Sequence, residues 1–321
     1  MTQLSARLAR SPVPARTPSG DAGGRRRPRS QGILSLLSPY FYLVPAVALV
    51  GGLIGFCIVF TVNASFYNWD GVGAGARSVG LANYLQMFRD PVFWDAIEHT
   101  VAMAITIPVS MFLGLLFATL LHSRVVLKPL LKAILFIPVV ISPAIMAPTW
   151  RQIFDLDGPV NAALRAVGLG GLAHPWLADP ATGLFVLMVI VTWSSTGFNF
   201  LLYYAGLTAI DGEVLEAARI DGASNFTIFF RFLVPLTRTT SATLLLLGAI
   251  GIMKIFDVPY LVTQGGPAHA TEFLSTYLFM QTVQNYSAGY GAAIAISMIV
   301  ICVILAFAQI RQTREMEEGR A

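Results

Sequence analysis

The residues most often used for catalysis are scattered in this chain. His99, His122, His174 and His269 stand far apart, none at metal-ligand spacing. No Ser/His/Asp set or pair of carboxylates converges on one motif. Cys57 and Cys302 both lie inside apolar runs and read as buried thiols, not as a disulfide framework or a zinc site. No G-x-x-x-x-G-K-[ST] phosphate loop occurs, so ATP hydrolysis of that kind has no site here. Polar groups of another sort interrupt the apolar runs. Trp193, Ser194, Ser195, Thr196, Phe198 and Asn199 fall close together. An aromatic face for C–H surface beside a few hydrogen-bonding groups is what a sugar requires. Ser and Thr also serve as glue between helices. Lys254 and Asp257 are three residues apart inside an apolar stretch. On one helix they would share a face, either as a mutually neutralising pair or as a polar patch on a translocation path.

The elements that carry these residues follow from composition. Of 321 residues, 55% are hydrophobic and 12% charged, against about 25% charged in an ordinary soluble domain. The mean hydropathy is +0.68. A soluble enzyme is excluded, and so is disorder over most of the length. The net charge of +4 does not point to nucleic acid, because seven of the 21 basic residues sit in the first 30 positions. Residues 1–38 read as a disordered Arg/Pro-rich tail. The run after Arg25-Arg26-Arg27 is too long for a signal segment and reads as a retained first span. The expected fold is all-α: a polytopic membrane protein with six transmembrane helices. The spans are 41–65, 100–121, 131–150, 184–205, 240–260 and 288–309, within a domain 39–311 followed by a C-terminal tail 312–321. With both termini inside, sixteen basic residues are cytoplasmic and four external. That asymmetry sets the orientation.

Segment 206–239 is the largest cytoplasmic loop in this reading. Asp211 is a plausible N-cap, Glu213 to Asp221 has helix-forming composition, and Gly222 is a natural stop. Ser224 can cap a second short helix, with Phe226, Phe229, Phe230 and Leu233 on one apolar face and Pro235 ending it. Three acids, Glu213, Glu216 and Asp221, face Arg219 alone. That balance favours a protein surface over lipid.

Glu216-Ala217-Ala218, then Gly222 after three intervening residues, then Phe232 and Val234-Pro235, resemble the EAA loop of ABC importer permeases. Phe232 and Val234 stand where the family usually has Ile and Leu. Gly80-Leu81-Ala82-Asn83-Tyr84, Asp90-Pro91-Val92-Phe93-Trp94, Ala205-Gly206-Leu207 and Thr263-Gln264-Gly265-Gly266-Pro267 are similar to the carbohydrate branch of that family, the maltose and glycerol-phosphate type. The resemblance covers about residues 40–311. It implies a transport subunit, not an enzyme, in a bacterial or archaeal cell membrane. It implies a second permease subunit, two ABC ATPase subunits that bind ATP and Mg, and an extracytoplasmic solute-binding protein. It assigns coupling to the ATPase to Glu216, Ala217, Ala218, Asp221, Gly222 and Pro235. It assigns the substrate path to Trp193, Ser195, Phe198, Lys254 and Asp257, to which the polar run adds Asn199. The turn Gly265, Gly266 and Pro267 reads either as a structural connection or as contact with the binding protein. The rival reading is a gradient-driven secondary transporter relaying ions through Lys254 and Asp257.

Overall fold

The computed structural model describes residues 33–73, 75–122 and 127–318. Most of the expected tail and Arg124 lie outside the described residues. The chain divides into two compact units, Met1–Gly55 and Phe56–Ala321. Helix α1 (Ile33–Ala64) supplies the described part of the first and the opening of the second. It starts eight residues before the expected span, so the segment set apart as tail is helical from Ile33.

After α1 the second unit has a two-residue hairpin, β1 (Tyr67–Asn68) against β2 (Arg77–Ser78), with Tyr67 opposite Ser78. Then come α2 (Ala82–Arg89), α3 (Pro91–Met103), α4 (Thr106–His122), α5 (Lys128–Val140), α6 (Pro143–Ile153), α7 (Pro159–Ala166) and α8 (Pro180–Thr208). The loop elements are α9 (Gly212–Ile220), α10 (Asn225–Thr227), a π-helical stretch Ile228–Leu233, and α11 (Val234–Leu236). The chain ends with α12 (Arg238–Met253), α13 (Asp257–Val262), α14 (Leu274–Phe279) and α15 (Ala288–Glu318). Helix α15 therefore runs through most of the expected C-terminal tail.

Among the described residues four helical segments are long and apolar enough to cross a membrane, Leu43–Ala64, Pro91–His122, Pro180–Thr208 and Ala288–Ala308. The count reaches six if each of two bent pairs is one span. One pair is α5 with α6, bent by 101°. The expected single helix 131–150 is broken there by Ile141-Ser142-Pro143. Pro143 disfavours helical backbone at Ser142, whose side chain instead accepts from the Ala144 N–H at 3.3 Å and caps α6. The other pair is Asn225–Leu236 with α12, bent by 69°. At that bend the Thr237 hydroxyl donates to the Leu233 carbonyl at 2.8 Å, a back-bond that bends helices.

The expected fifth span, 240–260, is also interrupted. Helix α12 stops at Met253, and Lys254 is its C-cap. Pro259 has no N–H to return to the Ile255 carbonyl, and the Ser275 hydroxyl donates to that carbonyl instead. Chain 254–256 leaves the helix for that reason. The second span is longer than expected because Asp90 caps α3 early: its carboxylate accepts from the Val92 N–H at 3.0 Å, with Pro91 at the first helical position.

The tightest packing is of α4 against α8. A Cβ on Gly114 would stand 2.7 Å from the Asn199 Cβ, so only glycine admits this approach. The expected burial of the two thiols does not hold. Cys57 is exposed and Cys302 intermediate, both free. Helices that are apolar all round present such residues to hydrocarbon at little cost.

Candidate coupling surface and translocation path

Helix α9 is built as its sequence suggests. The Asp211 carboxylate accepts from the Glu213 N–H at 3.1 Å and opens the helix. At its end the Gly222 N–H donates to the Arg219 carbonyl and the Ala223 N–H to the Ala218 carbonyl, both at 3.0 Å. This is the paired bonding of a Schellman stop. Gly222 has φ +81°, and a Cβ there would meet nothing within 4 Å. Its requirement is left-handed backbone, not space. Ala218 is buried, and Leu215 and Ala223 pack on a core that includes Phe200, Tyr203, Leu207, Ile228, Phe229 and Leu233.

The opposite side of α9 is uncovered. Glu213, Glu216, Ala217 and Asp221 are exposed. Ile220 is 85% and Phe226 74% exposed. The result is an apolar patch rimmed by acids on an element whose inner face is anchored. Ala217 and Ala218 thus face different ways. The four aromatic and Leu positions expected on one face also divide. Phe229 and Leu233 are buried, while Phe226 and Phe230 pack against each other on the outside, ring centroids 4.6 Å apart and planes inclined at 48°. Pro235 does not end this helix. The turn before it widens into the π-helical stretch, which accommodates a residue that cannot bond four positions back. The chain stays helical to Leu236, and the break falls at Thr237.

Between α4, α5, α8 and α12 lies a cavity of about 390 Å³. Ser195, Phe198 and Asn199 line it, as does Ser194. The Asn199 amide donates to the Ser110 hydroxyl at 3.0 Å across the α4–α8 contact. Thr106, Ser110 and Gly251 are further wall residues that sequence reasoning missed. A signal for two of them existed: Thr106 and Ser110 are one turn apart in an otherwise apolar helix. Trp193 is not among the cavity's lining residues. Its ring packs edge-on against Trp150 at 5.3 Å. Lys254 and Asp257 are exposed, on either side of the break between α12 and α13, and do not line the cavity. The shared helical face expected for them is absent.

The Gly265-Gly266-Pro267 loop is held from several sides. The Gly265 backbone lies against the carboxylate of Glu272, which is only 2% exposed. That carboxylate accepts from the Thr276 hydroxyl at 2.5 Å and faces His269 Nδ1 at 3.2 Å. The Thr271 hydroxyl donates to the Gly266 carbonyl at 2.7 Å. Arg151 donates through Nε to the Val262 carbonyl at 2.9 Å and through its terminal nitrogen to the Leu261 carbonyl. Gly266-Pro267 is a cis peptide. A second cavity, of about 480 Å³, adjoins this loop and includes Arg151, Asp155, Gln264 and Pro267.

Two other stretches that carried the resemblance are structural. The Asn83 amide donates to the Ser65 and Tyr67 carbonyls at 2.8 and 3.0 Å. Asp90 accepts from the Tyr290 hydroxyl at 2.6 Å and from Tyr277, which tethers α3 to α14 and α15. Burial, then the Asp90 carboxylate, pushes the Tyr277 hydroxyl well above the usual tyrosine range.

Residues 110–317 match the family described as binding-protein-dependent transport system inner membrane components. The chain belongs to that family. As a permease it is 34% identical over 278 residues to the probable ABC transporter permease protein YurN of Bacillus subtilis, covering 85% of this chain and 94% of the relative. It is 30% identical over 281 residues to the lactose transport system permease protein LacF of Rhizobium radiobacter, covering 86% and 94%. A chain of the bacterial alginate ABC transporter, solved with an alginate pentasaccharide-bound periplasmic protein, superposes with a TM-score of 0.69 at 20% identity. That match covers 88% of this permease and 94% of the other chain. The chain is thus a membrane subunit of an ABC importer, and the gradient-driven alternative falls away.

Proposed function

We propose that this permease carries a sugar or sugar-like solute into the cytoplasm, driven by ATP that partner subunits hydrolyse. The observation that carries the reading is the exposed face of α9. An anchored helix that displays Glu213, Glu216 and Asp221 around bare Ile220 and Phe226 is shaped to be gripped by another protein. That protein is one of two ABC ATPases, which hold the ATP and Mg. Glu216 makes a charge-assisted contact with it, and the Gly222 stop fixes the direction in which the chain leaves the interface. Pro235 supports the widened turn that links this surface to α12.

The cavity walled by Ser195, Phe198, Asn199 and Ser110 is part of the solute path. One aromatic ring beside hydroxyl and amide groups suits a polyhydroxy solute. Lactose, the cargo of the LacF relative, and alginate, that of the structural neighbour, are both of that class. A second permease subunit completes the path. The rigid Gly265-Gly266-Pro267 loop faces the extracytoplasmic binding protein, and both termini lie in the cytoplasm. Closure of the ATPases moves α9 and tilts the bundle between two states.

Uptake of labelled mono- and disaccharides by cells producing the full-length chain with its partners tests this. The expected result is accumulation of at least one sugar that persists with an uncoupler while ATP is maintained, and that Glu216→Lys removes with the chain still inserted. Uptake that collapses with the uncoupler alone, or full uptake by the variant, would refute it.

A further inference from the structure

We propose that the end of the bundle around Tyr204 binds an anionic phospholipid, its phosphate held by Lys128 and Lys132 and an acyl chain lying between α4, α5 and α8. Lys128 opens α5, and Lys132 stands one turn on, so the two like charges share a face. Both converge on one ring. Lys132 Nζ is 3.8 Å and Lys128 Nζ 5.7 Å from the Tyr204 centroid. The ring of His122, the last residue of α4, is 6.3 Å from the same ring. Arg219 of α9 acts electrostatically on His122 as well.

Among the described residues neither lysine has a carboxylate within 4.0 Å. The ion pairs there are Arg165–Asp157, His174–Asp179 and His269–Glu272. A tyrosine face attracts a cation, but it carries no net charge. Two ammonium groups directed at one spot without a counter-ion call for an anion. Lys and Tyr at helix ends are also the residues that sit at headgroup level.

The site continues into the membrane. Leu135 is three residues beyond Lys132 on α5, and Gly197 seven before Tyr204 on α8, so each shares a face with its polar partner. Both line a groove of about 670 Å³ whose walls also include Leu113, Phe117, Ile134 and Val189. Ile134 and Val189 are exposed. Along α8 the groove extends from Gly197 to Phe185. That is roughly 18 Å at the helical rise, close to one leaflet of a hydrocarbon core about 30 Å thick. Positive charge one turn along α5 from the groove wall at Leu135, and an apolar trough of that length, match a phospholipid. A soluble anion would leave the trough empty.

The test is native mass spectrometry of the full-length chain, purified with its accompanying subunits, after exchange into micelles doped with phosphatidylglycerol or phosphatidylcholine. Two lysines at a charged surface predict roughly thirtyfold preferential retention of phosphatidylglycerol. Lys128→Gln with Lys132→Gln should bring that preference close to one. Phe117→Trp, which fills the groove and keeps the charges, should lower retention of both lipids. Circular dichroism checks that the variants are folded. Equal retention of the two lipids by the wild type would overturn the proposal, as would an unchanged preference in the lysine variant. Displacement by free glycerol phosphate as effective as by lipid would overturn it in favour of a soluble anion. Retention of neither lipid would overturn it in favour of a protein neighbour filling the groove.

Discussion

At the residue scale, Gly222 and Asp90 separate two kinds of motif position. Gly222 is needed for its backbone: φ is +81° and the space beyond it is open. A β-branched side chain there costs about 1–2 kcal/mol, whereas Asn adopts the same backbone readily. Gly222→Val should therefore abolish transport, and Gly222→Asn should retain much of it, as uptake assays would show. Asp90 closes a network. Asp90→Ala removes a helix cap and leaves two tyrosine hydroxyls without their acceptor. The expected loss is about 2–4 kcal/mol, read as a fall in thermal unfolding temperature in detergent. The raised Tyr277 value has a definite sign. The folded protein holds that proton more tightly, so its contribution is complete below the ordinary tyrosine value of about 10 and is lost as pH rises beyond it. Stability scans should be flat in this respect near neutrality and fall in strong alkali, and Tyr277→Phe should flatten that fall.

At the element scale, the loop helix was legible because its signals are local. Asp211, Gly222 and Ser224 each cap or stop a helix through their own backbone neighbours. The spans were legible as apolar runs, but not where they break. Hydropathy averages over Ile141-Ser142-Pro143 and over Pro259, whereas the backbone responds to the restricted residue before Pro143 and to the missing N–H of Pro259. Lys254 and Asp257 are separated by such a break, and Trp193 belongs to a face that a one-dimensional reading cannot assign. The Ser110–Asn199 bridge joins residues 89 apart, beyond any local pattern. Ser110→Leu should fill part of the cavity and strand the Asn199 amide. Solute uptake is expected to fall at least tenfold while α9 still engages its partner, because the cavity and the coupling surface are different places. A fall in both would show that the variant disturbs the bundle as a whole.

At the scale of the whole molecule, the account rests on one division of labour. In the proposed function the helices provide a path, and the energy arrives through α9 from another chain. The topology proposed from the charge asymmetry has loop 206–239 and the Gly265–Pro267 loop on opposite sides of the membrane. With Cys57 and Cys302 replaced by Ser, Ala268→Cys should react with an impermeant maleimide in intact cells. Asn225→Cys should react only after the membrane is opened. The most direct test of the central claim is a mild-detergent purification of the full-length chain from its own membranes, with co-eluting proteins identified by mass. The account predicts a P-loop ATPase and a second permease with the wild type, and loss of the ATPase with Glu216→Lys. A chain that elutes without any ATPase, or a variant that keeps it at wild-type level, would contradict it.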